Sequence, residues 1–227
     1  MEPLIEAKRI TKDFLQKEEV VHALAETSFV GFPGEFVAVI GPSGSGKSTF
    51  LTILGGLQKP TTGEILLEGA PYSRLEAKSR SRIRFEKIGF ILQSSSLVPF
   101  LTVAEQLRLY DRLRRRPHDE ARIAELSKRL GVGKLLGKLP NQLSGGERQR
   151  AAIMKALYPD PSLILADEPT ASLDRLKSQE VMELLRAETK RENKLTIMVT
   201  HDERFLDMCD RVCEIEDGVL SESRPQS

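Results

Sequence analysis

Two stretches of this chain carry residue types that grip phosphate. The first is "GPSGSGKST", running Gly41, Pro42, Ser43, Gly44, Ser45, Gly46, Lys47, Ser48, Thr49. It fits the pattern G-x-x-x-x-G-K-[ST], follows the apolar run Phe36–Ile40 and precedes "FLTILGGL", which continues as helix. The glycines let backbone N–H groups turn inward around a phosphate, and the helix behind adds its positive end. Lys47 supplies a mobile charge. At ~4 Å, in an effective dielectric near ~20, such a charge attracts a phosphate oxygen by about 4 kcal/mol before desolvation. The Ser48 hydroxyl suits magnesium.

The second stretch is "LSGGERQR". Ser144 and Glu147 make a capping box, and Gly145 and Gly146 leave the first turn without side-chain bulk. Free N–H groups and a serine hydroxyl at a helix start form an anion site of their own. Between the two grips in function, though later in the chain, "LILADE" ends an apolar strand in Asp167 and Glu168. Asp167 is placed to hold magnesium, and Glu168 to polarise a water attacking the γ-phosphate.

The elements that position these groups follow from periodicity. Phe36–Ile40, Ile88–Leu92, Leu163–Ala166 and Leu195–Val199 read as buried strands, with Glu64–Glu68 and Arg211–Glu216 as two more. Helical patterns separate them, which predicts a parallel sheet with crossover helices. From about Ser94 to about Tyr158 the signals are helical only. Thr102 and Glu105 cap one helix; Asp119 caps a second, which Gly131 ends. The expected organisation is one domain: an α/β core over residues 1–93 and 159–227, and a helical insertion over 94–158. The second grip lies in that insertion, so nothing requires it to reach the chain's own first grip. Two copies packed head to tail would sandwich each ATP between one copy's Gly41–Thr49 loop and the other's Ser144–Glu147.

Composition narrows the class. The 227 residues are 30% charged with a net charge of +1, which does not suggest a globally basic nucleic-acid binder. A membrane-spanning helix needs ~20 apolar residues in a row, and runs such as "FVAVI" are far shorter. The start, "MEPLIEAKRITKDF", lacks an apolar signal core. A soluble protein at the cytoplasmic face of a membrane, held there by a partner, is expected. Cys209 and Cys213 read as small buried thiols, since no spacing with His201 or Asp207 matches a zinc pattern. The run "RLRRRP" reads as a solvated helix end. The tail "SESRPQS" reads as unstructured.

With these motifs in view, the chain resembles the ATP-binding-cassette ATPases over nearly its whole length. "LSGGERQR" is similar to their signature motif and "LILADEPTASLD" to their Walker B and D-loop. The resemblance implies a P-loop NTPase (RecA-like) core with an antiparallel β subdomain and an inserted α-helical subdomain. It also implies roles: Gln93 as a Q-loop ligand of magnesium and γ-phosphate, His201 as the switch histidine, Asp174 as the D-loop contact of a homodimer, and Phe14 stacked on adenine in place of the more usual tyrosine. ATP and magnesium are the expected cofactors. No motif is degenerate, so both sites of a homodimer should hydrolyse ATP.

The segment "QSSSLVPFLTV" puts Leu97, Val98, Pro99, Phe100 and Leu101 in a loop. They either pack into the helical part or receive a helix of a membrane permease; the family resemblance favours the permease. The P-loop, "LTILGGLQKPTTGEI" and "ADEPTASLD" resemble ATPases of MacB-type complexes. "IGFILQSSSLVPFLTVAEQL" and "THDERFLDMCDRVCEIEDGVL" most resemble haem-export ATPases of the Hrt type. That implies haem export, with haem bound by the permease and not by this chain. Lipoprotein or peptide export, and transmembrane mechanical signalling without transport, stay open. An ATPase of DNA repair is disfavoured by the compact gap between P-loop and signature, which has neither heptads nor paired cysteines.

Overall fold

The computed structural model describes residues 2–17 and 19–223. Strands β1 (Ile5–Gln16) and β2 (Glu19–Gly31) form a long antiparallel hairpin. Strand β3 (Phe36–Ile40) leads through the glycine-rich loop into helix α1 (Lys47–Leu54). Strands β4 (Thr62–Leu67) and β5 (Ala70–Pro71) then join the hairpin. Helix α2 (Ala77–Lys87) precedes strand β6 (Ile88–Ile91). Helices α3 (Val103–Arg114), α4 (Glu120–Arg129) and α5 (Gly145–Leu157) fill the gap before strand β7 (Leu163–Asp167). Helix α6 (Arg175–Arg191), strand β8 (Leu195–Val199), strand β9 (Arg211–Glu216) and strand β10 (Val219–Ser223) complete the chain.

The strands make two sheets, ordered β2-β1-β4-β5 and β10-β9-β3-β8-β7-β6. The first is antiparallel; the second is parallel except for β10, which pairs antiparallel with β9. In the parallel sheet alternate residues feed two cores. Leu163 and Leu165 face the side shared with α1 and the antiparallel sheet, while Ile164 and Ala166 face the side shared with α3 to α6. All four are fully buried, as a parallel sheet covered on both faces requires.

The hairpin β1–β2 and helix α2 carry weak patterns. β1 breaks register at three places against β2, which blurs alternation, and α2 buries none of its residues. The tail differs from expectation: Ser221–Ser223 belong to β10, whose pairing with β9 sets Glu222 opposite Cys213. Residues 224–227 of that tail lie outside the described residues. Cys213 is buried and Cys209 half-buried, and burial pushes their thiols up to about 11 and about 12. Among the described residues no helix is long and apolar enough to cross a membrane.

Two buried ionic clusters hold the helices between β6 and β7, the first tying them to α6 and the second tying them to one another. Glu188 of α6 accepts Arg122 (3.0 Å) and Arg129 (2.7 Å) from α4, and Lys194 (2.8 Å) from the turn before β8. Asp111 of α3 is fully buried and accepts Arg116 (2.9 Å), His118 (3.1 Å) and the Tyr158 hydroxyl.

Candidate nucleotide site

The glycine-rich loop is shaped by its neighbours. Gly41 has φ 141°, and a Cβ there would stand 2.1 Å from the Ile215 carbonyl oxygen of β9. Gly46 has φ 105°, and a Cβ there would stand 2.4 Å from the Ala23 carbonyl oxygen of β2. No side chain fits at either place. Gly218, in the turn between β9 and β10, donates to the Ser45 carbonyl (3.1 Å) and accepts from the Ala25 N–H (2.9 Å). The loop is thus wedged between both sheets. Lys47 Nζ donates to the carbonyls of Gly41 (2.9 Å) and Pro42 (2.6 Å), so its charge lies across the loop mouth.

Strand register delivers the acids to the same place. β7 pairs Asp167 with Val199, the last residue of β8. The chain then kinks: Glu168 takes φ 50°, with its N–H donating to the Val199 carbonyl (3.0 Å). His201, two residues past Val199, brings Nδ1 within 2.8 Å of Glu168 Oε1. A cavity of about 440 Å³ results. Gly41, Ser43, Gly44, Gly46, Lys47, Ser48 and Thr49 line one wall, and Gln93, Asp167, Glu168 and His201 the other. Ala23 and Val199 complete the lining. Motif reading missed them, because an alanine and a valine carry no chemical signal and matter here through backbone and shape.

Other predicted residues lie elsewhere. Pro42 and Ser45 belong to the loop but do not line the cavity; Ser45 Oγ is buried without a hydrogen-bond partner. Phe14 is half-buried on β1, opposite Val21, with Lys12 Nζ 4.9 Å from its ring centre, and is not among the lining residues. Ser144–Glu147 are also outside the cavity. Ser144 caps α5: its Oγ accepts the Glu147 N–H (3.3 Å), and its own N–H donates to the Glu147 carboxylate (2.8 Å). These hydrogen bonds hold the Glu147 carboxyl below its ordinary range. A Cβ on Gly145 would meet nothing within 4 Å, whereas Gly146 packs against Leu173 and Ser172. Asp174 caps α6 through the Lys177 N–H (2.8 Å). Leu97 packs onto the helical core, while Phe100 stands 76% exposed.

A second depression, of about 370 Å³, runs along β6, which is the free edge of the parallel sheet. Ile88, Phe90, Leu92, Tyr110 and Ser96 line it, with Lys155 of α5 donating to the Ser96 carbonyl. Burial lowers the Lys155 pKa.

Fold and site together define a nucleotide-hydrolysing cassette, and the chain belongs to the ABC transporter family, whose model matches residues 24–171. That family binds and hydrolyses ATP, and so does this class of subunit. Over 217 residues the chain is 44% identical to the putative hemin import ATP-binding protein HrtA of Staphylococcus aureus, covering 95% of this chain and 98% of that one. The HrtA of Staphylococcus haemolyticus is 43% identical over 220 residues, with the same coverage. Among solved structures, the ATP-binding cassette MJ0796 in a dimeric post-hydrolysis state with ADP and Pi superposes with a TM-score of 0.92. It is 36% identical and covers 98% of this chain and 99% of its own. A second dimeric MJ0796 structure, described as a bacterial ABC transporter cassette, gives 0.93.

Proposed function

We propose that this ABC transporter ATPase subunit works as a head-to-tail homodimer that drives a membrane permease, and that the cargo is haem, moved outward. The observation that carries the ATPase chemistry is one cavity holding the Gly41–Thr49 loop, Asp167, Glu168 and His201. The loop amides and Lys47 grip the β- and γ-phosphates, and Phe14 carries the base. Glu168 accepts a proton from the attacking water; His201 holds that carboxylate through Nδ1 and reaches toward the γ-phosphate. A magnesium ion fits the cavity, because Ser48, Gln93 and Asp167 offer oxygen donors of the kind a hard cation takes. When bound there it spreads the charge of the phosphates. Ser144, Gly145, Gly146 and Glu147 face the partner copy's nucleotide, and Asp174 sits at the dimer contact. The dimeric MJ0796 cassettes support this arrangement.

Residues 94–158 act as a helical subdomain that couples the site to the permease. The permease helix docks on the depression along β6, beside Leu97, Val98, Pro99 and Phe100, and so holds the chain at the cytoplasmic face of the membrane. Haem is supported by the 44% identity to HrtA across nearly the whole chain. That relative's name says import; the outward direction rests on the resemblance to MacB-type and Hrt-type export ATPases. Haem itself sits on the permease. The test is the ATPase rate of the chain copurified with its permease in lipid, titrated with haem and with metal-free porphyrins, using Glu168→Gln as blank. Haem-selective stimulation supports the reading, and a rate indifferent to haem removes the cargo. Haem movement in inside-out vesicles decides direction.

A further inference from the structure

A third cleft, of about 740 Å³, lies where α2 and α3 both end. Arg82, Lys87, Arg114, Arg115 and Arg116 line it against one acid, Glu86. Three of these cations are matched: Arg82 by Glu86, Lys87 by Glu68 and Arg116 by Asp111. Arg114 donates to the carbonyls of Phe85 (3.2 Å), Glu86 (2.7 Å) and Pro159 (3.2 Å), which fixes its guanidinium in the floor without neutralising it. Arg115 has no ion-pair partner among the described residues and takes φ 55°, turning the chain out of α3. Two helix C-termini, each worth about half a negative charge, leave roughly one positive charge in the cleft. Beside these arginines Leu113 is 63% exposed. A cation-lined hollow next to a protruding leucine is the chemistry of a lipid–water interface.

Position agrees. The cleft shares Phe85 with the depression along β6, so the two hollows adjoin. We propose that this cleft holds the headgroup of an anionic phospholipid, with Leu113 entering the acyl boundary beside it. This rests on the permease reading, which brings the face to the bilayer. The lipid contact adds to permease docking and sets how the helices between β6 and β7 lie against the membrane. An acidic protein segment would match the charge but gives no reason for Leu113 to stand exposed.

The test uses the full chain without permease. Flotation compares vesicles of phosphatidylcholine with vesicles containing phosphatidylglycerol. Association about tenfold stronger with the anionic vesicles, falling with salt, is expected. Arg82→Gln with Arg115→Gln should remove the preference, and Leu113→Ser should weaken binding at every salt concentration, while basal ATP hydrolysis is unchanged. Equal binding to both vesicles, or a preference that survives the double variant, overturns the proposal. Full competition by millimolar inorganic phosphate makes it a free-phosphate site, and equal competition by duplex DNA makes it a general polyanion patch; either result also overturns it. Copurification of the permease with Phe100→Asp is measured in parallel. Copurification lost by Phe100→Asp, with no vesicle preference in the native chain, refutes the lipid site and leaves the docking reading intact. Vesicle preference with copurification unchanged by Phe100→Asp does the reverse.

Discussion

His201 Nδ1 and Glu168 Oε1 lie 2.8 Å apart, although the histidine side chain is 75% exposed and the glutamate side chain 13%. Glu168 is fixed from three directions. Its N–H bonds the Val199 carbonyl, its carbonyl accepts the Ala171 N–H (3.2 Å), and its side chain meets the imidazole. A left-handed φ at a non-glycine residue costs about 1–3 kcal/mol and persists only where the surroundings enforce it. Here the enforced conformation aims a carboxylate into the cavity.

If Glu168 takes the proton of the attacking water, as proposed, Glu168→Gln keeps the shape of the side chain but removes the base. Turnover is expected to fall by about 10²- to 10⁴-fold while ATP affinity stays within a few-fold. Phosphate release measured beside equilibrium binding of a fluorescent ATP analogue checks it. Near-normal release would assign the proton transfer elsewhere.

Two glycines of one loop should respond differently to alanine. At Gly41 the added Cβ meets the Ile215 carbonyl oxygen at 2.1 Å, so β9 or the loop must shift. Gly44 also has a left-handed φ, 81°, but nothing lies within 4 Å of its Cβ position. Gly41→Ala should abolish nucleotide binding and lower the melting temperature sharply. Gly44→Ala should cost about 1 kcal/mol of backbone strain and leave the fold intact. Equal effects in thermal melts and binding titrations would contradict the wedge described for the loop.

Ser144→Arg removes one partner of the capping box and adds bulk and charge at an open helix start. Loss of the cap alone costs about 1 kcal/mol, so the monomer should fold and bind ATP. ATP-dependent dimerisation, read by light scattering in a Glu168→Gln background, should disappear. A dimer that still forms would remove Ser144 from the partner's nucleotide.

Asp111 offers a pH signature. Burial works against its charge, but hydrogen bonds from Tyr158, His118 and Arg116, with the Arg116 charge, hold its carboxyl below the ordinary carboxylate range. A depressed folded-state pKa contributes stability that is present above the unfolded value, near ~3.9, and lost as pH falls through the folded one. Asp111→Asn should therefore destabilise by about 3 kcal/mol at neutral pH. The gap between variant and native protein should close as denaturant melts move below about pH 4. A gap independent of pH would mean that packing, not charge, is at stake.

Much of this was legible because the chemistry is written in short motifs at the ends of strongly apolar strands. β3, β7 and β8 announce themselves as buried runs, and the loop after each carries Lys47, Glu168 or His201. The hairpin of β1 and β2 did not show, because its bulges break the alternation a strand pattern needs. The Ser221–Ser223 half of β10 reads as tail, since Ser221 and Glu222 look solvated; backbone pairing to β9 makes the strand, and side-chain type says little about it. Ala23, Ile215 and Gly218 shape the phosphate loop through carbonyls and an amide, which every residue has. The pairing of His201 with Glu168 came from strand register across 33 residues of sequence, beyond the reach of local spacing.

The order of synthesis gives the Gly218–Ser45 hydrogen bond a further meaning. The phosphate loop is made early, at residues 41–49, but the residues that brace it, Ile215 and Gly218, are among the last dozen or so described. A nascent chain holds the loop without this brace until Ile215 and Gly218 have been made. A chain truncated before Ile215 is therefore expected to capture ATP poorly, because an early motif takes its shape from a strand pair made long after it.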